Sequence, residues 1–126
     1  MYSAVSAAVG ALSGELHGGA NQEVMKMLLE IKTEDNVSSW LEKRISSGSR
    51  IMGMGHAVYK TVDPRSLVLK ELSKKLSKIT QQKWFDITNK IENETVRIMK
   101  ENKSSDIFPN VDLYSASVYY LSLIHI

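Results

Sequence analysis

The chain has 126 residues, of which 43% are hydrophobic and 24% charged, and its 16 basic and 14 acidic residues give a formal net charge of +2. This composition is typical of one globular domain, and the interspersed charges exclude the basic stripe of a protein that binds nucleic acid or an anionic membrane. The absence of cysteine excludes disulfides, thiol nucleophiles and thiolate metal sites. No apolar run approaches the roughly 20 residues that span a bilayer, and no targeting peptide is visible, so we predict a cytoplasmic protein.

Two helices separated by glycines are predicted at the start of the chain. Ser3 to Leu12 is rich in alanine and serine, with Val5 and Val9 four residues apart on one helical face. Glycines at positions 10, 14, 18 and 19 interrupt the pattern, and helical spacing resumes from Asn21 to Ile31. We therefore expect His17 to lie in a turn just before the second helix.

A third helix is predicted to begin after Asn36, which is a suitable N-cap residue. Its apolar stripe is formed by Val37, Trp40, Leu41 and Ile45. The polar run Ser46-Ser47-Gly48-Ser49 ends this helix, and a connector follows.

The pair Asp63-Pro64 predicts the start of a fourth helix, because aspartate caps helices and proline suits the first helical position. We expect this helix to carry Leu67, Val68, Leu72 and Leu76 on its apolar face. Arg65 falls in the first turn, where a positive charge opposes the helix dipole. Local stability does not explain such an arginine, whereas a bidentate bond to a ligand carboxylate does.

The last part of the chain also reads as helical. Residues 81–102 carry Trp84, Ile87, Ile91 and Ile98 on one face, residues 106–109 form a loop, and the segment from Asn110 leads into an apolar helix. No alternating strand pattern and no internal repeat is present. The predicted fold class is therefore all-α.

Three residues stand out as candidates for chemistry: His17, His56 and Asp112. Each alone suits a structural hydrogen bond as well as a reactive role, and spacing does not decide between them. The segment GMGHAVYKTVDPR at 53–65 has Val58 where a dinucleotide fingerprint needs its third glycine, which excludes that fold. No His-x-x-x-His pair occurs, so we predict no metal site. Lys60 suits either surface charge or a phosphate contact.

Three segments together resemble the signature segments of the citrate synthase family. They are Gly-Ala-Leu-Ser-Gly-Glu-Leu-His-Gly-Gly-Ala-Asn at 10–21, Gly-x-Gly-His-Ala-Val-Tyr-x-x-x-Asp-Pro-Arg at 53–65, and Asn-Val-Asp-Leu-Tyr-Ser at 110–115. They occur in the family's order, and Glu15 replaces a common family proline. The resemblance implies an all-α, citrate synthase-like fold of which this chain is an incomplete part.

The resemblance also implies an activity, the condensation of acetyl-CoA with oxaloacetate to give citrate and CoA. Asp112 matches the carboxylate base that removes a proton from the acetyl methyl group, and His17 matches the hydrogen-bond donor at the thioester oxygen. His56 matches the donor that polarises the oxaloacetate carbonyl, and Arg65 matches an arginine that binds an oxaloacetate carboxylate. These are the implied catalytic and substrate-binding residues.

The same resemblance implies where the co-substrate binds. Main-chain groups of Met52, Gly53, Met54 and Gly55 would lie along CoA, and Lys60 would meet its phosphates. Acetyl-CoA is then a co-substrate and no cofactor is permanently bound. The full-length protein is expected to be a homodimer or a higher oligomer.

The resemblance divides the chain into four parts. Residues 1–20 would end the large-domain, dimer-interface region, 21–111 would form the small mobile domain, and 112–120 would return to the large domain. Residues 121–126 depart from the family's continuation and match a peptide encoded by the transposon mosaic-end adapter of sequencing libraries, so we predict a non-native tail and assign His125 no role. We expect the 126 residues alone to be inactive.

Three other functions fit parts of this pattern. A 2-methylcitrate synthase, which uses propionyl-CoA, shares the motifs. A citrate/citryl-CoA lyase-type homologue is a second alternative. A non-catalytic helical interaction module would keep the apolar stripes but has no need of His17, His56, Arg65 and Asp112 together. Their joint presence favours the enzyme.

Overall fold

The computed structural model describes residues 1–12, 18–56, 58, 60–103 and 106–123, and these are largely helical. The helices are α1 (Tyr2–Leu12), α2 (Gly18–Ile31), α3 (Val37–Ser46), α4 (Pro64–Thr80), α5 (Trp84–Lys103) and α6 (Val111–Leu123). Within the described ranges the only bridge between extended segments is an isolated one from Met54 to Pro109. The predicted all-α class is confirmed.

Helix α6 packs against α2, α4 and α5, and α3 packs against α5. Its Leu113 and Tyr114 are fully buried. The predicted stripes of α2, α3 and α5 meet there, because their aliphatic side chains form one core cluster: Val24, Met27, Leu28, Ile31, Val37, Leu41, Ile45, Ile87, Ile91 and Ile98. Burial of these side chains drives the packing of the helices.

Helix α4 begins where Asp63-Pro64 predicted, but its buried face is not the predicted one. Leu67 and Val68 are 56% and 63% exposed, and Leu72 is exposed as well. The fully buried residues of α4 are small and polar, and Ser73 shares a hydrogen bond of 2.8 Å with Ser117 of α6. Small side chains let two helices approach closely, so the serines of α4 face the core, whereas Leu67, Val68 and Leu72 face outward. Leu76, the fourth predicted residue, is half-buried.

The start of α3 also differs in detail from the prediction. A short 3₁₀ turn, Glu34–Asn36, precedes the helix, and Asn36 has helical dihedrals with no side-chain cap bond. Its Nδ2 instead donates to the carbonyl oxygen of Ile31 at 3.0 Å. Asn36 therefore closes the end of α2 and does not cap α3.

The described side chains of α1 are exposed, including those of Tyr2, Val5 and Val9. In the part of the chain that the structure describes, every helix is too short or too polar to cross a membrane. Helix α2 runs across the predicted boundary between residues 20 and 21, and α6 continues to Leu123 with Leu121 buried. The division into domains and the proposed tail stay predictions.

Two buried threonines on α5 give a matched pair for a stability prediction. Thr88 Oγ1 donates to the Trp84 carbonyl at 2.6 Å, whereas Thr95 Oγ1 has no hydrogen-bond partner among the described residues. A buried hydroxyl without a partner costs about 1–3 kcal/mol. We expect Thr95→Val to raise the free energy of unfolding by about 1 kcal/mol and Thr88→Val to lower it by about 1 kcal/mol, measured by urea unfolding. Equal losses in both variants would contradict this assignment.

Candidate active site

The loop that carries His56 is joined to the segment that leads into α6 by a set of hydrogen bonds. The Gly55 N–H donates to the Phe108 carbonyl at 2.7 Å, and the Asn110 N–H donates to the Gly53 carbonyl at 2.9 Å. The Asn110 side chain adds a third bond, from Nδ2 to the Gly55 carbonyl at 2.7 Å. Residues far apart in the sequence are thereby held side by side.

Asn110 also begins helix α6. Its Oδ1 accepts a hydrogen bond of 2.9 Å from the Asp112 N–H, which satisfies one of the free amides at the helix start. Asp112 lies half-buried in the first turn, where the helix dipole favours a negative charge. One asparagine thus positions both the His56 loop and the helix turn that bears Asp112. Asn110 was not among the predicted site residues, although an asparagine before an apolar helix is a cap signal.

The close approach of loop and helix depends on Gly53. Its φ is 85°, and a Cβ added there would lie 2.9 Å from both Cα and Cβ of Leu113. Gly55 also has a positive φ, of 87°, but a Cβ there would meet only Ile107 at an ordinary contact distance. The loop therefore requires glycine at position 53 for two reasons: the backbone has a positive φ there, and a side chain would clash with Leu113.

His56 is exposed, and its Nδ1 accepts a hydrogen bond of 3.0 Å from the Val58 N–H. A neutral imidazole that accepts at Nδ1 carries its proton on Nε2. In this tautomer the ring presents an N–H donor from the Nε2 side. That is the form required to polarise a carbonyl oxygen.

Arg65 has a local partner that the sequence analysis did not predict. Its Nε and Nη2 donate to the two carboxylate oxygens of Asp63 at 3.1 and 2.9 Å, and Asp63 Oδ1 also accepts from the Arg65 N–H. Asp63 is completely buried, whereas the Arg65 side chain is 56% exposed. The prediction that local stability does not explain Arg65 was wrong, because Asp63, the cap residue two positions earlier, compensates its charge. The pair uses two of the five guanidinium N–H donors.

Hydrogen bonding from the Arg65 side chain lowers the pKa of Asp63 below its ordinary value of 3.8, against the opposing effect of burial. A carboxyl whose folded-state pKa is depressed stabilises the fold above its unfolded-state pKa, and this contribution is lost as the pH falls through the folded-state pKa.

We expect Asp63→Asn, which keeps a capping oxygen, to lower the free energy of unfolding by about 1 kcal/mol at neutral pH. The difference from the wild type should shrink as Asp63 becomes protonated in strong acid. Urea unfolding over a range of pH measures this, with Asp86→Asn at the exposed start of α5 as the control. A constant difference at every pH would contradict the ion-pair assignment.

Two clefts flank the 51–56 loop. One, of about 250 Å³, is lined by Gly55, His56, Lys60, Thr61, Asp106, Ile107 and Phe108. The other, of about 210 Å³, is lined by residues that include Arg50, Ile51, Met54, Thr95 and Met99, and it shares Ile107 with the first. Of the predicted CoA-binding residues, Gly55 and Lys60 therefore line the His56 cleft, Met54 is buried and lines the other cleft, and Met52 is half-buried.

His17 lies outside the described residues, and α2 begins at the next position, Gly18. In the described ranges, no group of three or more His, Cys, Asp or Glu side chains is arranged to hold a metal ion. The structure thus holds the loop of His56 against the helix start of Asp112, and the Asp63–Arg65 pair follows that loop in the chain. The predicted role of each residue stays a prediction.

The fold and this junction define an all-α protein with a candidate acid–base site between a loop and a helix start. A family model described as the citrate synthase C-terminal domain matches residues 1–125. The chain belongs to the citrate synthase family.

The relatives that this chain matches are longer proteins. Citrate synthase 2 of Bacillus subtilis (strain 168) is 46% identical over 121 residues, which cover 95% of this chain and 31% of that protein. The citrate/2-methylcitrate synthase of the same organism is 38% identical over 96% of this chain and 32% of its own length. The structure of a ternary complex of carboxymethyl coenzyme A and oxaloacetate with citrate synthase from Thermoplasma acidophilum matches with a TM-score of 0.83 and 37% identity, over 96% of this chain and 32% of that one. The chain spans about a third of the length of these relatives.

Proposed function

We propose that the full-length protein containing this chain condenses acetyl-CoA with oxaloacetate to give citrate and CoA. The observation that carries the proposal is the junction at Asn110, which holds the His56 loop against the first turn of α6 with its Asp112 carboxylate. The structure of a relative of similar fold has been solved with carboxymethyl coenzyme A and oxaloacetate. The first is an analogue of acetyl-CoA, and the second is the other substrate of the proposed reaction.

The first step is removal of a proton from the acetyl methyl group. The methyl group is a weak acid, so a positioned carboxylate must accept the proton while a donor stabilises the charge that develops on the thioester oxygen. Asp112 is the base in this proposal, and His17 is the donor. Asp112 lies in the first turn of α6, where the helix dipole favours a negative charge.

The second step forms the carbon–carbon bond. The methyl carbon attacks the ketone carbon of oxaloacetate, and the ketone oxygen gains a proton as it becomes a hydroxyl group. His56 polarises this carbonyl through its Nε2–H, and Arg65 binds an oxaloacetate carboxylate. Water then cleaves the thioester of citryl-CoA, which releases citrate and CoA.

The two clefts beside the 51–56 loop support the predicted binding of CoA along Met52, Gly53, Met54 and Gly55, with Lys60 at the phosphates. Acetyl-CoA is a co-substrate, and we propose no permanently bound cofactor. The exposed apolar side chains of α1 support a homodimer in which this helix is covered. We also retain the proposal of a cytoplasmic location.

A thiol-release assay on the full-length protein tests the proposal, with oxaloacetate and either acetyl-CoA or propionyl-CoA. We expect a higher kcat/KM with acetyl-CoA. A preference for propionyl-CoA would establish the second candidate, a 2-methylcitrate synthase, which the citrate/2-methylcitrate synthase among the relatives favours. Cleavage of citryl-CoA without net condensation would establish a lyase. Failure of all three reactions would leave a non-catalytic helical module.

A further inference from the structure

A cluster of Tyr114, Glu92 and Lys70 joins α6, α5 and α4 next to the helical turn that carries Asp112. The Tyr114 hydroxyl of α6 donates a hydrogen bond to Glu92 Oε2 of α5. Lys70 Nζ of α4 donates to the same oxygen at 3.1 Å and lies 5.7 Å from the centre of the Tyr114 ring. Tyr114 is fully buried, and the Glu92 side chain is only 15% exposed. The proposed chemistry uses none of these three residues.

The hydroxyl of Tyr114 acts as a hydrogen-bond donor in this cluster. Burial, together with the hydrogen bond and charge of Glu92, raises the pKa of Tyr114 far above its ordinary value. The hydroxyl therefore keeps its proton and stays a hydrogen-bond donor. The positive charge of Lys70 compensates the Glu92 carboxylate. The cluster is therefore an ion pair that accepts a hydrogen bond from the neutral Tyr114 hydroxyl.

The cluster lies on the opposite side of α6 from Asp112. Residues two positions apart on a helix are separated by roughly 200° about its axis, so fixing Tyr114 fixes the rotation of the turn that bears Asp112. An aspartate carboxylate lies roughly 5 Å from the helix axis, so a rotation of about 10° moves it about 1 Å. A displacement of that size at a reacting group costs up to about 10²-fold in rate.

We propose that Glu92 and Tyr114 are positioning residues for Asp112, because their hydrogen bond sets the rotation of the first turn of α6. Gly53 fixes the distance between α6 and the loop through its contact with Leu113, and the Glu92–Tyr114 bond fixes the remaining rotation. The inference rests on the proposed function, since it assigns Asp112 as the base.

Steady-state kinetics of the full-length protein test it with Tyr114→Phe, which removes only the hydroxyl. We expect kcat to fall about 10-fold or more while the KM for oxaloacetate changes less than about twofold, because the base moves and the oxaloacetate-binding residues do not. Tyr119→Phe, on the exposed side of α6, is the matched control and should leave both constants unchanged. Circular dichroism and thermal unfolding check that each variant is folded.

Two substitutions at Glu92 separate positioning from simple stabilisation. Glu92→Gln keeps an oxygen that accepts from Tyr114 but removes the ion pair with Lys70, whereas Glu92→Leu removes both. We expect Glu92→Gln to retain most of the kcat and Glu92→Leu to lose as much as Tyr114→Phe. An equal loss of kcat in both Glu92 variants, or an unchanged kcat in Tyr114→Phe, would overturn the positioning role while leaving the proposed function intact. A wild-type protein that releases no thiol would overturn both.

Discussion

Replacing Asp112 with asparagine in the full-length protein is expected to reduce thiol release from acetyl-CoA and oxaloacetate by about 10²- to 10⁴-fold in kcat. Asparagine has nearly the same shape and accepts a hydrogen bond, but it does not take up the proton of the acetyl methyl group. Oxaloacetate binding should persist, because the proposed binding residues His56 and Arg65 are unchanged. Calorimetric titration with oxaloacetate measures binding separately from turnover.

A matched control distinguishes a missing base from a weakened helix. Asp86 is the acidic residue in the first turn of α5, as Asp112 is in α6, and it is exposed. The interaction of each carboxylate with its helix dipole stabilises the fold by about 0.3–1 kcal/mol. Asp86→Asn and Asp112→Asn should therefore lower the free energy of unfolding by similar amounts. Only Asp112→Asn should lose activity. If it retains more than about a tenth of the wild-type kcat, Asp112 is not the base.

The sequence correctly predicted the buried face of those helices that pack through apolar side chains. In α2, α3 and α5 the aliphatic stripes are buried, so periodicity identified both the helix and its inner face. In α4 the same reasoning located the helix by its Asp63-Pro64 start but assigned the wrong face. The serines of α4 are buried because α6 lies close to them, and a single-helix pattern carries no information about how near the neighbouring helix is.

Site residues were predicted where a sequence motif specifies them. They were missed where their role depends on a contact between distant parts of the chain. The motif at 53–65 drew attention to His56 and Arg65, but the pairing of Arg65 with Asp63 depends on side-chain rotamers. Asn110 is part of a quoted motif, yet its bond to Gly55 forms only after the loop and α6 have packed together. The Glu92–Tyr114 bond likewise joins residues whose proximity depends on the completed fold.

The second large effect is expected for Gly53→Ala, which tests whether the loop must touch α6. Alanine at a φ of 85° costs about 1–2 kcal/mol, and its Cβ would lie 2.9 Å from the backbone of Leu113, which adds about 1–3 kcal/mol of overpacking. We expect the free energy of unfolding of the chain to fall by about 2–5 kcal/mol in total, a large share of a typical domain's stability.

Gly48 supplies the control for this prediction, because it has a similar φ of 74° but no atom within 4 Å of an added Cβ. Gly48→Ala should therefore cost only the conformational part, about 1–2 kcal/mol. Urea unfolding gives both values, and the imidazole resonances of His56 report on the loop. They should shift in Gly53→Ala and stay in place in Gly48→Ala, because only the first substitution separates the loop from Leu113. Equal losses of stability in the two variants would mean that the loop accommodates the added methyl group next to Leu113 without further cost. The contact between Gly53 and Leu113 would then not be what holds the His56 loop against the start of α6.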